Sequence, residues 1–402
     1  MNKKEVKKAP TLRFKGFTND WEQHSLENLY NKIGNAFVGK ATPFFTNHGH
    51  FYLESNNIKD GRINLKDQKF INDVFYIKQR DKWLHTNDLV MVQSGDVGQT
   101  SVITQKYNNC AAHALIMFRK PKNEYISNFL NSYFQSDVAI SKIDKLKIGN
   151  TVNHLLASDM KTFKVTLPKH NSEAQKIIHI FNHLNRLQVL QQRKLRLLKL
   201  LKKATQQNIF ASTECLPKLK YRNLTEKWQL YRLKDVAKIT MGQSPNSKNY
   251  TQNPIDHILV QGNADIRNGY VFPRIWTTEI TKVANKGDII LCVRAPAGDV
   301  GRTKFNVVIG RGVAAIKGND FIFQQLQFMK SSGYWKKYIS GSTFESINSN
   351  DIKNAKIFCP SQLEQKNISS LLDDIDTSIQ IQQKNILDFK YIKQFLLQNM
   401  FI

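Results

Sequence analysis

The sequence predicts an α+β chain in which one globular unit and one long helix are each written twice. Three observations carry that reading. Two stretches free of glycine and proline, Glu173–Phe210 and Glu364–Phe401, share landmarks at one constant separation. Gln191-Gln192 answers Gln382-Gln383, and Gln207-Asn208-Ile209-Phe210 answers Gln398-Asn399-Met400-Phe401. A proline stands shortly before each stretch, Pro168 and Pro360. Landmarks ahead of both helices also repeat in order, which is the mark of an internal duplication. Finally, 59 Lys and Arg against 32 Asp and Glu leave a net charge of +27. Both halves share that excess, so it is a property of the whole body and suits a polyanion, nucleic acid first.

In chain order, the first unit opens with Pro10-Thr11-Leu12-Arg13-Phe14, Trp21 and Leu26. The second opens with Pro217-Lys218-Leu219-Lys220-Tyr221, Trp228 and Leu233. Asn57-Ile58-Lys59-Asp60-Gly61 then parallels Asp265-Ile266-Arg267-Asn268-Gly269. The apolar-flanked Asp-Gly and Asn-Gly pairs predict tight turns between strands. Asn87–Val92 parallels Gly287–Cys292, each ending in a short apolar run of buried-strand type. Each is followed by Gly-Asp-Val-Gly, at 95–98 and at 298–301. Gly149-Asn150-Thr151 with Asp159 matches Gly341-Ser342-Thr343 with Asp351. Helical patches are expected at Ile126–Ala139 and Phe321–Ile339.

In the second long stretch Ile368, Leu372, Ile375, Ile379, Gln382, Ile386, Phe389, Lys393, Leu396 and Met400 step by alternating four and three. That is the period of a coiled-coil seam. The first keeps it at Ile177, Phe181, Leu184, Leu195, Leu198 and Ile209, but not at Gln188, Gln191, Lys202 and Thr205. Its leucines spread to Leu187, Leu190, Leu197, Leu200 and Leu201, a face wide enough for a seam plus a second contact surface. At about 1.5 Å per residue such helices reach on the order of 50 Å, the length of a spacer. The first is strongly basic through Arg186, Arg193, Lys194, Arg196, Lys199, Lys202 and Lys203. These suit DNA phosphates, or pairing with the acidic Asp373-Asp374-Asp376 cluster. The expected divisions are 1–170 and 213–360 for the globular units, and 171–212 and 361–402 for the helices.

Signatures of chemistry are missing from the sequence. There is no GxxxxGK[ST] phosphate loop. His179 and His183 have helical spacing, but Ile180 stands where a HExxH metal site needs Glu. Cys110, Cys215, Cys292 and Cys359 lie far apart and read as reduced packing residues. No apolar run approaches the length of a membrane span. No signal segment is legible, and a cytoplasmic protein is expected. The chain reads as a binder, not a catalyst.

Met241-Gly242-Gln243-Ser244-Pro245, Gly287–Leu291, Gly298-Asp299-Val300-Gly301, Gly341-Ser342-Thr343, and Pro360 with Glu364-Gln365, Ile368 and Asp376 occur in that order. This set resembles the specificity subunit of type I restriction-modification systems. The first half repeats it with departures, Ile33-Gly34-Asn35-Ala36 and Glu173-Ala174-Gln175. The resemblance covers the whole chain. It implies two target recognition domains, each reading half of an asymmetric bipartite DNA site, and two long helices packed as an antiparallel coiled coil that acts as a ruler. It implies double-stranded DNA as ligand and two modification subunits that methylate adenine with S-adenosylmethionine. It also implies restriction subunits that use ATP and Mg, and no cofactor in this chain. A coiled-coil scaffold with non-specific DNA binding is the competing reading.

Candidate DNA-binding residues are polar or basic and sit near the matched loops. In the first unit they are Asn35, Lys40, Ser55, Asn57, Lys59, Arg62 and Asn150. In the second they are Gln243, Ser244, Lys248, Gln261, Asn263, Arg267, Arg294, Arg302 and Ser342. Arg and Lys suit guanine edges, Asn and Gln adenine edges, and phosphate contact is the commoner role for any one of them.

Overall fold

A computed structural model describes residues 9–149, 153–210, 217–220, 227–338 and 346–402. Cys215 and the candidates Asn150 and Ser342 lie outside those residues. Backbone contacts divide the chain into two compact units, Met1–Leu190 with Ile386–Ile402, and Gln191–Asn385. Each unit thus takes the start of one long helix and the end of the other.

The helices run from Asn171 to Ile209 and from Gln362 to Asn399. Each follows a strand, Lys164–Leu167 or Lys356–Cys359, closed by the predicted proline. Proline has no N–H to continue a ladder. Those strands pair antiparallel with Glu22–Ser25 and Gln229–Arg232 respectively.

In the first unit an antiparallel sheet orders Tyr30–Asn35, Leu115–Pro121, Leu89–Val92 and Thr100–Val102. Leu89–Val92 is buried at every residue, as its apolar run predicts. A second sheet orders Ala111–Ala112, His50–Leu53, Lys69–Ile71 and Phe45–Thr46, the first pair parallel. The second unit repeats this plan. Lys238–Met241, Val313–Lys317, Ile289–Cys292 and Val300–Arg302 form its first sheet, which continues through Tyr270–Val271 and Ile266–Arg267 to six strands. Its other sheet again contains one parallel pair, His257–Val260 with Val307–Ile309.

Both predicted turns form. Asp60 and Gly61 have φ of 50° and 77°, and Asn268 and Gly269 have 51° and 77°. These left-handed conformations match the twist of a two-residue hairpin. They join Ile58–Lys59 to Arg62–Ile63 and Ile266–Arg267 to Tyr270–Val271. Each predicted helical patch is two pieces. Ile126–Tyr133 stops before Ser136, whose side chain accepts from Ala139 N and starts a new helix, Asp137–Asp144. Asp320–Ser331 ends before Gly333 at φ 77° and is followed by a 3-10 turn, Tyr334–Tyr338.

Two sequence matches shift register. Gly98 N bonds Val92 O and Gly298 N bonds Cys292 O. Gly298 is therefore the counterpart of Gly98, and the two Gly-Asp-Val-Gly strings stand three residues apart in structure. Likewise Ala36 N bonds Leu115 O where Gly242 N bonds Val313 O. Ala36 thus stands at the Gly242 position and Phe37 at the Gln243 position, two residues from the sequence match. Short glycine-rich strings recur easily in turns, whereas ladder hydrogen bonds admit one alignment.

Every predicted seam position on the second helix is buried or half-buried. In the first unit Phe181 packs on Phe401 with ring centroids 5.5 Å apart, and Lys393 Nζ donates to Asn185 Oδ1 at 2.7 Å. In the second, Gln382 Nε2 donates to Gln191 O at 3.0 Å, and Lys202 pairs with Asp376 at 2.6 Å. Rising numbers on one helix meet falling numbers on the other, so the helix segments pair antiparallel within each unit. Gln188, Gln191, Lys202 and Thr205, which break the apolar pattern of the first helix, still face inward. The spread leucines do not form a second buried face: Leu190, Leu197, Leu200 and Leu201 are each about half exposed.

The helix ends enter the cores. Phe401 packs against Phe129 and Tyr133 in the first unit, and Phe210 against Phe321 and Phe328 in the second. Leu12 N caps Asn399 O at 2.9 Å, and Leu219 N caps Asn208 O at 2.8 Å. The opening landmarks of each unit thus satisfy carbonyls that a helix C-terminus leaves without partners.

Candidate nucleic-acid interface

In the second unit, Gly242 lets two backbone segments cross. A Cβ there would lie 2.1 Å from Gly310 O. Gln243 N donates to Ile309 O at 2.8 Å, and Ser244 Oγ accepts from Arg311 N at 3.0 Å. Ser244 and Gln261 both abut Gly310. Val293 N donates to Gly312 O, which brings the exposed Arg294 to the same rim. The structure therefore gathers Gln243, Ser244, Gln261 and Arg294 around Arg311, an exposed arginine that the sequence reading missed. Its only local signal was its place between Gly310 and Gly312. The Gln261 Nε2 behind this rim is buried without a hydrogen-bond partner.

The corresponding rim of the first unit has different chemistry. Phe37 occupies the Gln243 position, and His113, bridged to Phe37, occupies that of Gly310, directly before Arg311: His113 N donates to Leu53 O as Gly310 N donates to Val260 O. His113 Nε2 lies 2.9 Å from Gly39 O, next to the exposed Lys40, and its Nδ1 lies 3.6 Å from Glu54, the neighbour of Ser55. The Glu54 contact holds the imidazolium and raises its pKa, against the opposing effect of burial. Ser94 stands where Arg294 does and bonds His154 at 2.7 Å. Asn35, exposed at its strand end, lies beside this rim.

The hairpins hold a second group. Lys59 and Arg267 are exposed, the latter with its guanidinium 4.0 Å from the centre of the Phe272 ring. Arg62 is half-buried and donates to Asn185 O at 3.4 Å. Arg302 is held by Asp320 at 2.6 Å and lies over Phe323. Asn57 is a correction. It is 1% exposed, accepts from Glu54 N, and donates to Asn64 O and Asp67 O. It builds the approach to the hairpin and presents no free edge, as its counterpart Asp265 does by accepting from Gln261 N and Gly262 N. Asn263 is half-buried in the turn before the second hairpin, and Lys248 is exposed in the 3-10 turn Ser247–Asn249.

Among the described residues, no group of three His, Cys, Asp or Glu side chains is placed to hold a metal. Burial pushes the thiols of Cys110 and Cys292 up to about 12 and that of Cys359 to about 11, so these three are packing thiols, not thiolate nucleophiles. No helix among the described residues is long and apolar enough to cross a membrane.

Two duplicated units, each with a basic loop rim and its own antiparallel pair of helix segments, define a class of tandem-repeat two-domain proteins. Residues 18–200 and again 225–388 match the type I restriction modification DNA specificity domain, and the chain belongs to that family. It is 27% identical over 389 residues to a Methanocaldococcus jannaschii protein carrying the provisional name type I restriction enzyme MjaX specificity subunit. That match covers 91% of this chain and 89% of the relative. The fold is shared with the S subunit of a type I restriction-modification system from M. genitalium, with TM-score 0.67, 14% identity, and 98% and 99% of the two chains covered. It is also shared with a chain solved in work on complex assembly and conformational transition of the type I R-M system, with TM-score 0.58, 20% identity, and 94% and 96% covered.

Proposed function

We infer that the chain is the DNA-reading specificity subunit of a type I restriction-modification complex and recognises two unlike half-sites. The difference between the two rims supports this most directly. Gln243 and Arg294 in one unit stand where Phe37 and Ser94 stand in the other, and the loop that carries Gly310-Arg311 in one carries His113 in the other. Arginine and glutamine suit guanine and adenine edges, whereas histidine and an aromatic ring offer a different pattern. The rim and hairpin candidates, with Asn150 and Ser342, are the proposed contacts.

The chain itself carries out no reaction in this reading. Adenine methylation belongs to two modification subunits that bind S-adenosylmethionine, and cleavage to restriction subunits that use ATP and Mg, all in the cytoplasm. The exposed Leu197, Leu200 and Leu201 on the first helix are the proposed docking surface for a modification subunit.

Mapping methylated adenines in cells with and without this chain tests the reading. A split motif should lose its methylation on deletion, and the reading fails if every motif survives. Replacing residues 1–170 by another recognition unit should rewrite one half-site and leave the other.

A further inference from the structure

A pseudo-equivalent pocket lies in each unit between the hairpin and the long helix. In the second unit it is a cavity of about 540 Å³. Its lysine, Lys202, is bonded to Gln327 and paired with Asp376, and Arg302 is paired with Asp320. Asp373 accepts from Gln324, and Lys199 completes the lining. Three carboxylates therefore face three cations, and the pocket is internally balanced.

In the first unit the same construction encloses about 400 Å³. Lys393 takes the place of Lys202 and is bonded to Gln135, the counterpart of Gln327. All three carboxylates have become amides. Asn128 stands at the Asp320 position, Asn182 at Asp373 and Asn185 at Asp376. The alignment rests on contacts: Phe129 receives Phe401 as Phe321 receives Phe210, and Asn185 bonds Lys393 as Asp376 bonds Lys202. Two arginines are added to the wall, Arg62 at the Tyr270 position and Arg186 at the Thr377 position. Asp60 at the hairpin tip is the carboxylate that acts on Lys393 from this side.

We propose that the first-unit pocket binds a phosphate group, held by Arg62 and Arg186 with the amides of Asn128 and Asn182 as neutral donors. An anion needs N–H donors and no competing carboxylate in the lining, and with three Asn in place of three Asp the lining holds amides and arginines and no carboxylate. Lys393, behind Asn185, adds positive potential without reaching the opening. Consistently, burial and the neighbouring Arg62 depress its pKa to about 8. The second-unit pocket, closed by its own ion pairs, does not bind phosphate. Assigning the phosphate to the DNA backbone rests on the DNA-reading function above. The pocket's affinity for the group does not.

The test is the triple variant Asn128→Asp, Asn182→Asp, Asn185→Asp, which imports the second unit's own side chains at near-constant volume. Asn185→Asp recreates the Lys202–Asp376 type of pair, so folding should survive. Should it not, Arg62→Gln with Arg186→Gln serves in its place. In the assembled complex, DNA affinity should fall about tenfold for all sequences alike, and the slope of log affinity against log salt should drop by about one. Unchanged affinity and slope in a folded variant overturn the proposal. If the wild-type complex binds no DNA, the DNA-reading function fails, and titration with inorganic phosphate decides the pocket. Side-chain amide NMR shifts at Asn128 and Asn182 that vanish in the arginine variant support a free-anion site, and their absence overturns it.

Discussion

Arg13 grips Glu173 with two parallel hydrogen bonds, Nε to Oε1 and Nη2 to Oε2, each 2.8 Å. Glu173 is 1% exposed and lies in the first turn of the long helix, where a negative charge is also favoured by the helix dipole. Arg13→Ala leaves that carboxylate buried without this partner and should cost about 3–5 kcal/mol. Arg13→Lys should cost part of that, because an ammonium cannot make the paired contact. Urea unfolding checks both, read as a lower midpoint at unchanged slope.

Phe401 and Phe210 should fail separately. Phe401→Ala removes a buried ring from the first unit's core and should destabilise that unit by about 3–5 kcal/mol. Phe210→Ala should do the same to the second. Hydrogen exchange on each variant should show lost protection concentrated in residues 1–190 for the first change and 191–385 for the second.

Lys393 sets a pH dependence. Its folded pKa of about 8 lies below the ordinary lysine value. Its neutral form is therefore favoured by folding, and its contribution to stability is fully present above the unfolded pKa. That contribution is lost as pH falls through about 8. Lys393→Met should flatten the stability profile between roughly pH 8 and 10, measured as melting temperature against pH.

His113 runs the other way. Its raised pKa, due first to Glu54, means that its contribution is complete below the ordinary histidine value and lost as pH rises through the folded one. Glu54→Gln should bring the imidazole pKa back down, followed by ring-proton NMR. The group is partly exposed, so salt should weaken the effect.

The long helices were legible in the sequence down to the seam, because apolar spacing along a helix is local information. Both hairpins were legible too, since Asp60-Gly61 and Asn268-Gly269 take left-handed backbone that few other pairs accept. The Gly-Asp-Val-Gly match was misleading by three residues, because turn chemistry repeats without structural equivalence. Asn57 looked like an available amide until its loop folded around it. Arg311 passed unnoticed because only the crossing of Gly242 over Gly310 brings it to Ser244.

The sequence by itself determined the duplication, the helix register and the basic character of both halves, all of them properties of residues close together along the chain. Only the tertiary structure decided that each unit is completed by the far end of the other repeat's helix. The helix register already sets Asn182 and Asn185 against Asp373 and Asp376, but only packing brings Asn128 and Asp320, which lie far away in the chain, to the same pockets as those side chains.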